Sequence, residues 1–110
     1  MECAIAIHYL PLDAHDDKRV CEIVDQVIAA IDASGLDYYV GPFETTVEGD
    51  FESCMRVLKD CIEAGEAAGC TEMESHVRIC WRPGGRVMST EEKIGKYHPT
   101  DSEFSSREIA

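Results

Sequence analysis

A chain of 110 residues, 45% of them hydrophobic, is long enough to bury a single core and too apolar to be disordered over most of its length. Its 22 acidic against 10 basic residues give a formal net charge of -12, which argues against nucleic acid and anionic membranes as partners, since both need Lys or Arg against phosphate. Cationic or neutral partners suit such a surface, although a solvated surface that aids solubility is enough to account for it.

No segment approaches the ~20 apolar residues of a membrane span. The start, MECAIAIHYLPLDAHDD, lacks the basic region and long apolar run of a signal peptide, so a cytoplasmic location is expected. Six cysteines (Cys3, Cys21, Cys54, Cys61, Cys70 and Cys80) form no CxxC pair, so neither a zinc site nor a thioredoxin-type site is expected. Cys54 and Cys61 stand seven apart on one helical face, as buried thiols acting as small hydrophobes would; a reactive thiol is the alternative.

In chain order, Glu2 to Leu10 reads as a strand with Ile5, Ile7 and Tyr9 on one face and Ala4, Ala6 and His8 on the other, ended by Pro11. Asp16 or Asp17 caps a helix whose Val20, Ile23, Val24, Val27 and Ile31 recur at helical spacing, with Gly35 as its stop. Tyr38 to Val40 and Thr45 to Glu48 are short strands broken by Gly41-Pro42. Asp50 caps a second helix with a stripe of Phe51, Cys54, Met55, Leu58, Cys61, Ile62 and Gly65, its fraying end marked by Gly65 and Gly69. Thr71 to Arg82 is the last strand, and a short helix with a capping box follows at Ser89 and Glu92. Residues from His98 onward read as a polar, mobile tail.

The order β-α-β-β-α-β predicts an α+β, ferredoxin-like sandwich: a four-stranded antiparallel sheet with two helices on one face, plus a C-terminal extension. Residues 1–85 are expected to form the ferredoxin-like domain, and 86–110 the extension with its short helix and mobile tail. Ile5, Ile7, Val47, Val77, Ile79 and Trp81 face the helices. His8, Thr46, Glu48, Glu74, His76 and Arg78, with Ala4, Ala6 and Cys80, fall on the opposite face, which meets water, a second subunit or a ligand. Each of these polar residues has a plainer reading. His8 and His76 read as surface histidines, although with Glu48 they would make an open metal site; no close spacing supports one, and no metal is expected. Threonine is a good strand residue, and Phe43 and Tyr39 are ordinary packing groups.

The stretch SGLDYYVGPFETTVEGDFESCMRVLKDCIEAGEAAGC followed by ESHVRI resembles the small YkoF-like thiamine-binding proteins. The resemblance covers roughly Ile5 to Ile79, and its most specific pieces are Ser34 to Tyr38, Gly41 to Gly49 and Ser75 to Val77. It implies a ferredoxin-like fold, a homo-oligomer (dimer or tetramer), and binding of thiamine or its hydroxymethylpyrimidine moiety without catalysis. It nominates Thr45, Thr46, Glu48, Ser75 and His76 for the ligand pocket. Phe43, as an aromatic that could stack on the ring, and His8, on the same sheet face, join them as candidates. No catalytic residue and no cofactor are expected. The tail after Trp81 and the cysteine load depart from the resemblance.

The chemistry agrees: thiamine is cationic, the chain is acidic, and Thr, Ser and Glu match the donors and acceptors of an aminopyrimidine. A pyrophosphate ester loses that advantage and is expected to bind less well than thiamine, because its phosphates meet an acidic surface. Two alternatives stand beside this reading, a structural or regulatory homo-oligomer without a ligand and a small enzyme on the same fold. An acylphosphatase-like activity is disfavoured, because YLPLDAHDD offers no arginine-bearing phosphate loop.

Overall fold

The computed structural model describes residues 1–100 of the chain. The expected tail therefore lies, for residues 101–110, outside the described residues. The chain runs β1 (Cys3–Pro11), α1 (Asp17–Ala33), β2 (Asp37–Val40), β3 (Thr45–Gly49), α2 (Phe51–Ala67), β4 (Met73–Trp81) and α3 (Thr90–Ile94), closed by a 3-10 turn over Gly95–Tyr97. Four antiparallel strands lie in the order β2-β3-β1-β4. This is the ferredoxin-like α+β sandwich.

Local chemistry explains the elements. Asp16 caps α1 by accepting from the Arg19 N–H, and Asp50 caps α2 by accepting from the Ser53 N–H at 2.9 Å. Gly35, at φ 76°, ends the turn after α1 in the left-handed region that glycine tolerates. Strand β1 runs one residue past its expected end, because Pro11 sits at the final register position opposite Met73 and its ring removes only a terminal donor.

The core lies between the helices and one sheet face. Ile5, Ile7 and Tyr9 of β1 and Val47 of β3 meet Ile23, Val27 and Ile31 of α1 and Cys54, Val57 and Cys61 of α2. Burial pushes the Cys54 and Cys61 thiols up to about 12, which keeps them protonated and unreactive. All six cysteines are free thiols, and Cys21 and Cys80 are the exposed ones. Ile79 and Trp81 belong to the same face but are about half exposed, because β4 is an edge strand; Trp81 stacks on Phe51 with ring centroids 4.5 Å apart.

The second sheet face is not fully open. Residues 86–98 fold back over it. The Val87 N–H donates to the Met1 carbonyl and the Val87 side chain is buried. Ser89 and Glu92 form the expected capping box of α3. The Thr90 N–H donates to the buried carboxylate of Glu48, and the His98 ring reaches Tyr39 with centroids 6.0 Å apart. The extension thus roofs the end of the face where β3 and β1 carry Glu48 and Ala4.

Candidate functional site

Register fixes the floor of the site. Tyr39 on β2, Thr46 on β3, Ala6 on β1 and Arg78 on β4 form one cross-strand row on the second face. The next row runs Asp37, Glu48, Ala4 and Cys80. Small side chains at the centre of both rows leave room above β1. That room is a cavity of about 640 Å³, within the range of small-molecule sites. The β2–β3 connection, Gly41 to Glu44, forms one wall, and Thr90, Lys93 and Ile94 of α3 form the other. Ala4 and Ala6 are only 7% and 9% exposed, so these walls cover them within a single chain.

The cavity has an aromatic side and a charged mouth. Tyr39 and Phe43 line it, and Phe43 is 82% exposed at the tip of the connection. The Arg78 guanidinium stands 4.0 Å from the Glu44 carboxylate in an exposed pair. Lys93 approaches from the opposite wall. Thr46 supplies a hydroxyl, and Cys80 a thiol, from the floor.

Of the candidates named from the sequence, Thr46 and Phe43 line this cavity. Glu48 is on the predicted face but lies under α3, 4% exposed, with its carboxylate accepting the Thr90 N–H. Thr45 pairs with Ile7 and is buried on the helix-covered side of the sheet. With Phe43 and His8 it borders a second, smaller cavity of about 310 Å³ beside α1. Ser75 pairs with Tyr9, and its hydroxyl donates to the His8 carbonyl at 3.0 Å. His8 and His76 face one another across β1 and β4 with Nδ1 atoms 3.4 Å apart. That spacing suits an N–H···N hydrogen bond in which one imidazole donates and its neighbour accepts. The pair forms the next row beyond Ala6 and Arg78, two residues along β1 or roughly 7 Å at about 3.3 Å per residue, and does not line the cavity. Among the described residues no group of three or more His, Cys, Asp and Glu is placed to hold a metal ion.

Tyr39, Glu44, Arg78 and Lys93 were not nominated from the sequence. Tyr39 and Arg78 carried a signal, since alternation and register put both in the Thr46 row. Lys93 carried none, because its place depends on the extension folding back.

A two-layer sandwich with an aromatic-sided cavity between its second sheet face and α3 has the form of a small-molecule site. The model of the thiamine-binding protein family matches residues 5–98, and the chain belongs to that family. The match includes α3, so the segment after Trp81, read from the sequence as a departure, falls within the family pattern as far as residue 98. The chain is 36% identical over 95 residues to the UPF0045 protein CPE1503 of Clostridium perfringens, an alignment spanning 86% of this chain and 96% of that one. A Thermotoga maritima structure provisionally assigned to thiamine biosynthesis or salvage is 33% identical, with a TM-score of 0.74 over 88% of this chain and 99% of that one. A Bacillus cereus structure of a domain of unknown function, DUF77, is 31% identical, with a TM-score of 0.76 over 88% of this chain and 90% of that one.

Proposed function

We propose that this protein binds thiamine or its hydroxymethylpyrimidine moiety, without turning it over, in the cavity on the roofed sheet face. The carrying observation is the cavity itself: a floor of small residues, aromatic Tyr39 and Phe43 on one side, and a Thr46 hydroxyl within it. The small side chains of Ala4 and Ala6 leave above them space that a larger side chain would fill, and a flat heterocycle would lie there. The aromatic rings offer stacking or cation–π contact, and Thr46 can donate to or accept from ring substituents. Family membership and the Thermotoga maritima relative support the thiamine class, and the family's description supports binding rather than turnover. Homo-oligomeric assembly belongs to the same reading. It is supported by β4, which pairs with β1 on one side and with no other strand among the described residues on the other.

The cavity's own thiol provides the test. Cys80 is exposed on the cavity floor, and Cys21 is exposed on α1 outside it. Calorimetry with thiamine and with hydroxymethylpyrimidine should give saturable heat for at least one. The same ligand should slow alkylation of Cys80 severalfold and leave Cys21 unchanged. No heat with either compound, together with unaltered labelling of Cys80, would remove the reading.

A further inference from the structure

The charge of the cavity differs in sign from the charge of the molecule. The chain as a whole carries -12, yet the charged side chains that line the cavity are Arg78 and Lys93 against Glu44. The Arg78 side chain is 81% exposed and its approach to Glu44 is 4.0 Å, so this pair is a weak one and leaves the guanidinium accessible to a ligand. Lys93 stands on α3, across the cavity from the Gly41–Glu44 wall. Glu48, in the adjoining floor row, is turned under α3 and accepts from its first N–H, while Glu92 of the helix is paired with Arg86 and caps Ser89. The two cations therefore flank the mouth above an apolar and aromatic interior.

Thiamine alone brings a positive thiazolium to a mouth that already carries excess positive charge. A phosphate monoester brings about -1.5 to -2 at neutral pH, which reverses the sign of the whole ligand. It also offers oxygen acceptors to a guanidinium and an ammonium. We infer that the cavity takes its ligand as a phosphate ester of a planar aromatic heterocycle, with Arg78 and Lys93 as the specificity-determining residues that receive the phosphate. The inference rests on the thiamine reading and reverses the preference that net charge alone suggests.

The test is calorimetry on the full chain with thiamine, thiamine monophosphate and inorganic phosphate, in the wild type and in the double variant Arg78→Gln, Lys93→Gln. Both positions are exposed, so the fold should tolerate the changes. The monophosphate should bind the wild type about tenfold or more tighter than thiamine, as charge-assisted hydrogen bonds warrant. That advantage should shrink with added salt. The double variant should bring the two ligands within about threefold of each other while still binding thiamine. Inorganic phosphate, lacking the ring, should not compete at matched concentration. Thiamine bound as tightly as its monophosphate by the wild type would overturn the phosphate preference and leave the thiamine reading standing. So would a preference that survives in the double variant, or inorganic phosphate competing as well as the ester. Absence of binding by thiamine and its monophosphate alike would overturn both.

Discussion

Gly65 shows how a single missing Cβ positions a helix. It sits inside α2, two residues before the end, and is buried. A Cβ built there would lie 1.8 Å from the Tyr9 hydroxyl oxygen and 2.4 Å from Cζ. Glycine within a helix costs about 1 kcal/mol relative to alanine, and here that cost permits the close approach of β1 to α2. Read from the sequence, Gly65 marked the fraying end of the helix. The helix instead continues to Ala67, and the chain turns at Gly69, whose φ is 97°. Gly65→Ala should destabilise the protein by about 1–3 kcal/mol through overpacking, read as a lower urea midpoint. Tyr9→Phe in the same chain should recover part of the loss, because the hydroxyl is the nearest atom. A midpoint that does not fall would refute the close approach.

Asp13 is a second residue whose work is local. Its carboxylate accepts from the Thr71 N–H at 2.9 Å and from the Thr71 hydroxyl at 2.6 Å, tying the turn after β1 to the approach to β4. These bonds favour the charged form and lower its pKa to about 2, below the ordinary aspartate value of about 3.9. A carboxyl depressed by folding contributes stability that is present above the unfolded value and lost as pH falls through the folded one. The stability gap between wild type and Asp13→Ala should therefore be full at neutral pH and shrink between about pH 4 and pH 2. Urea unfolding at several pH values would show it, and a gap constant down to pH 2 would count against this role.

At the scale of elements, the contact between Glu48 and α3 is the join between sheet and roof. A buried carboxylate is costly unless it is hydrogen-bonded; here it accepts from the first N–H of the helix, the end where negative charge is favoured. The sequence indicated that Glu48 leaves the core and that Ser89 starts a helix. It did not indicate that the two elements meet, because no local pattern links residues 48 and 90. Glu48→Ala removes a charge-assisted bond worth about 1.5–3 kcal/mol. Amide exchange at Thr90 and through α3 should accelerate roughly ten- to a hundredfold, while Val47 and its neighbours in β1 keep their protection. Unchanged exchange in α3 would show that Val87 and Thr90 hold the roof without Glu48.

For the whole molecule, the roof alters the case for assembly. Ala4, Ala6 and Cys80 lie on the face that the sequence leaves to water, a second subunit or a ligand. Ala4 and Ala6 are already covered within the chain, so the stronger motive is now the β4 edge. That edge runs nine residues and carries half-exposed Ile79 and Trp81, and long unpaired edges of this kind recruit another strand. Sedimentation at micromolar concentration should show a species larger than the 12.2 kDa chain. Replacing Ile79 with lysine should shift it toward the monomer. A 12.2 kDa species alone in the wild type would refute assembly. Among the described residues, no helix is long and apolar enough to cross a membrane.

The elements, their order and the division of β1, β3 and β4 into two faces were legible in the sequence, because capping, helical period and strand alternation are properties of neighbouring residues. Alternation also separated Thr46 from Thr45 and His76 from Ser75. A family motif carries adjacent residues together and cannot tell which side of the sheet each one faces. The tertiary structure decided which polar groups meet. Packing of Val87 and the Thr90–Glu48 bond carry α3 across the sheet, and that path sets Lys93 opposite the Gly41–Glu44 wall, over the row that contains Arg78. Net charge is a sum over residues and can be read from the sequence. The sign at one cavity depends on which side chains the fold gathers there, and in this chain it is opposite to the sum.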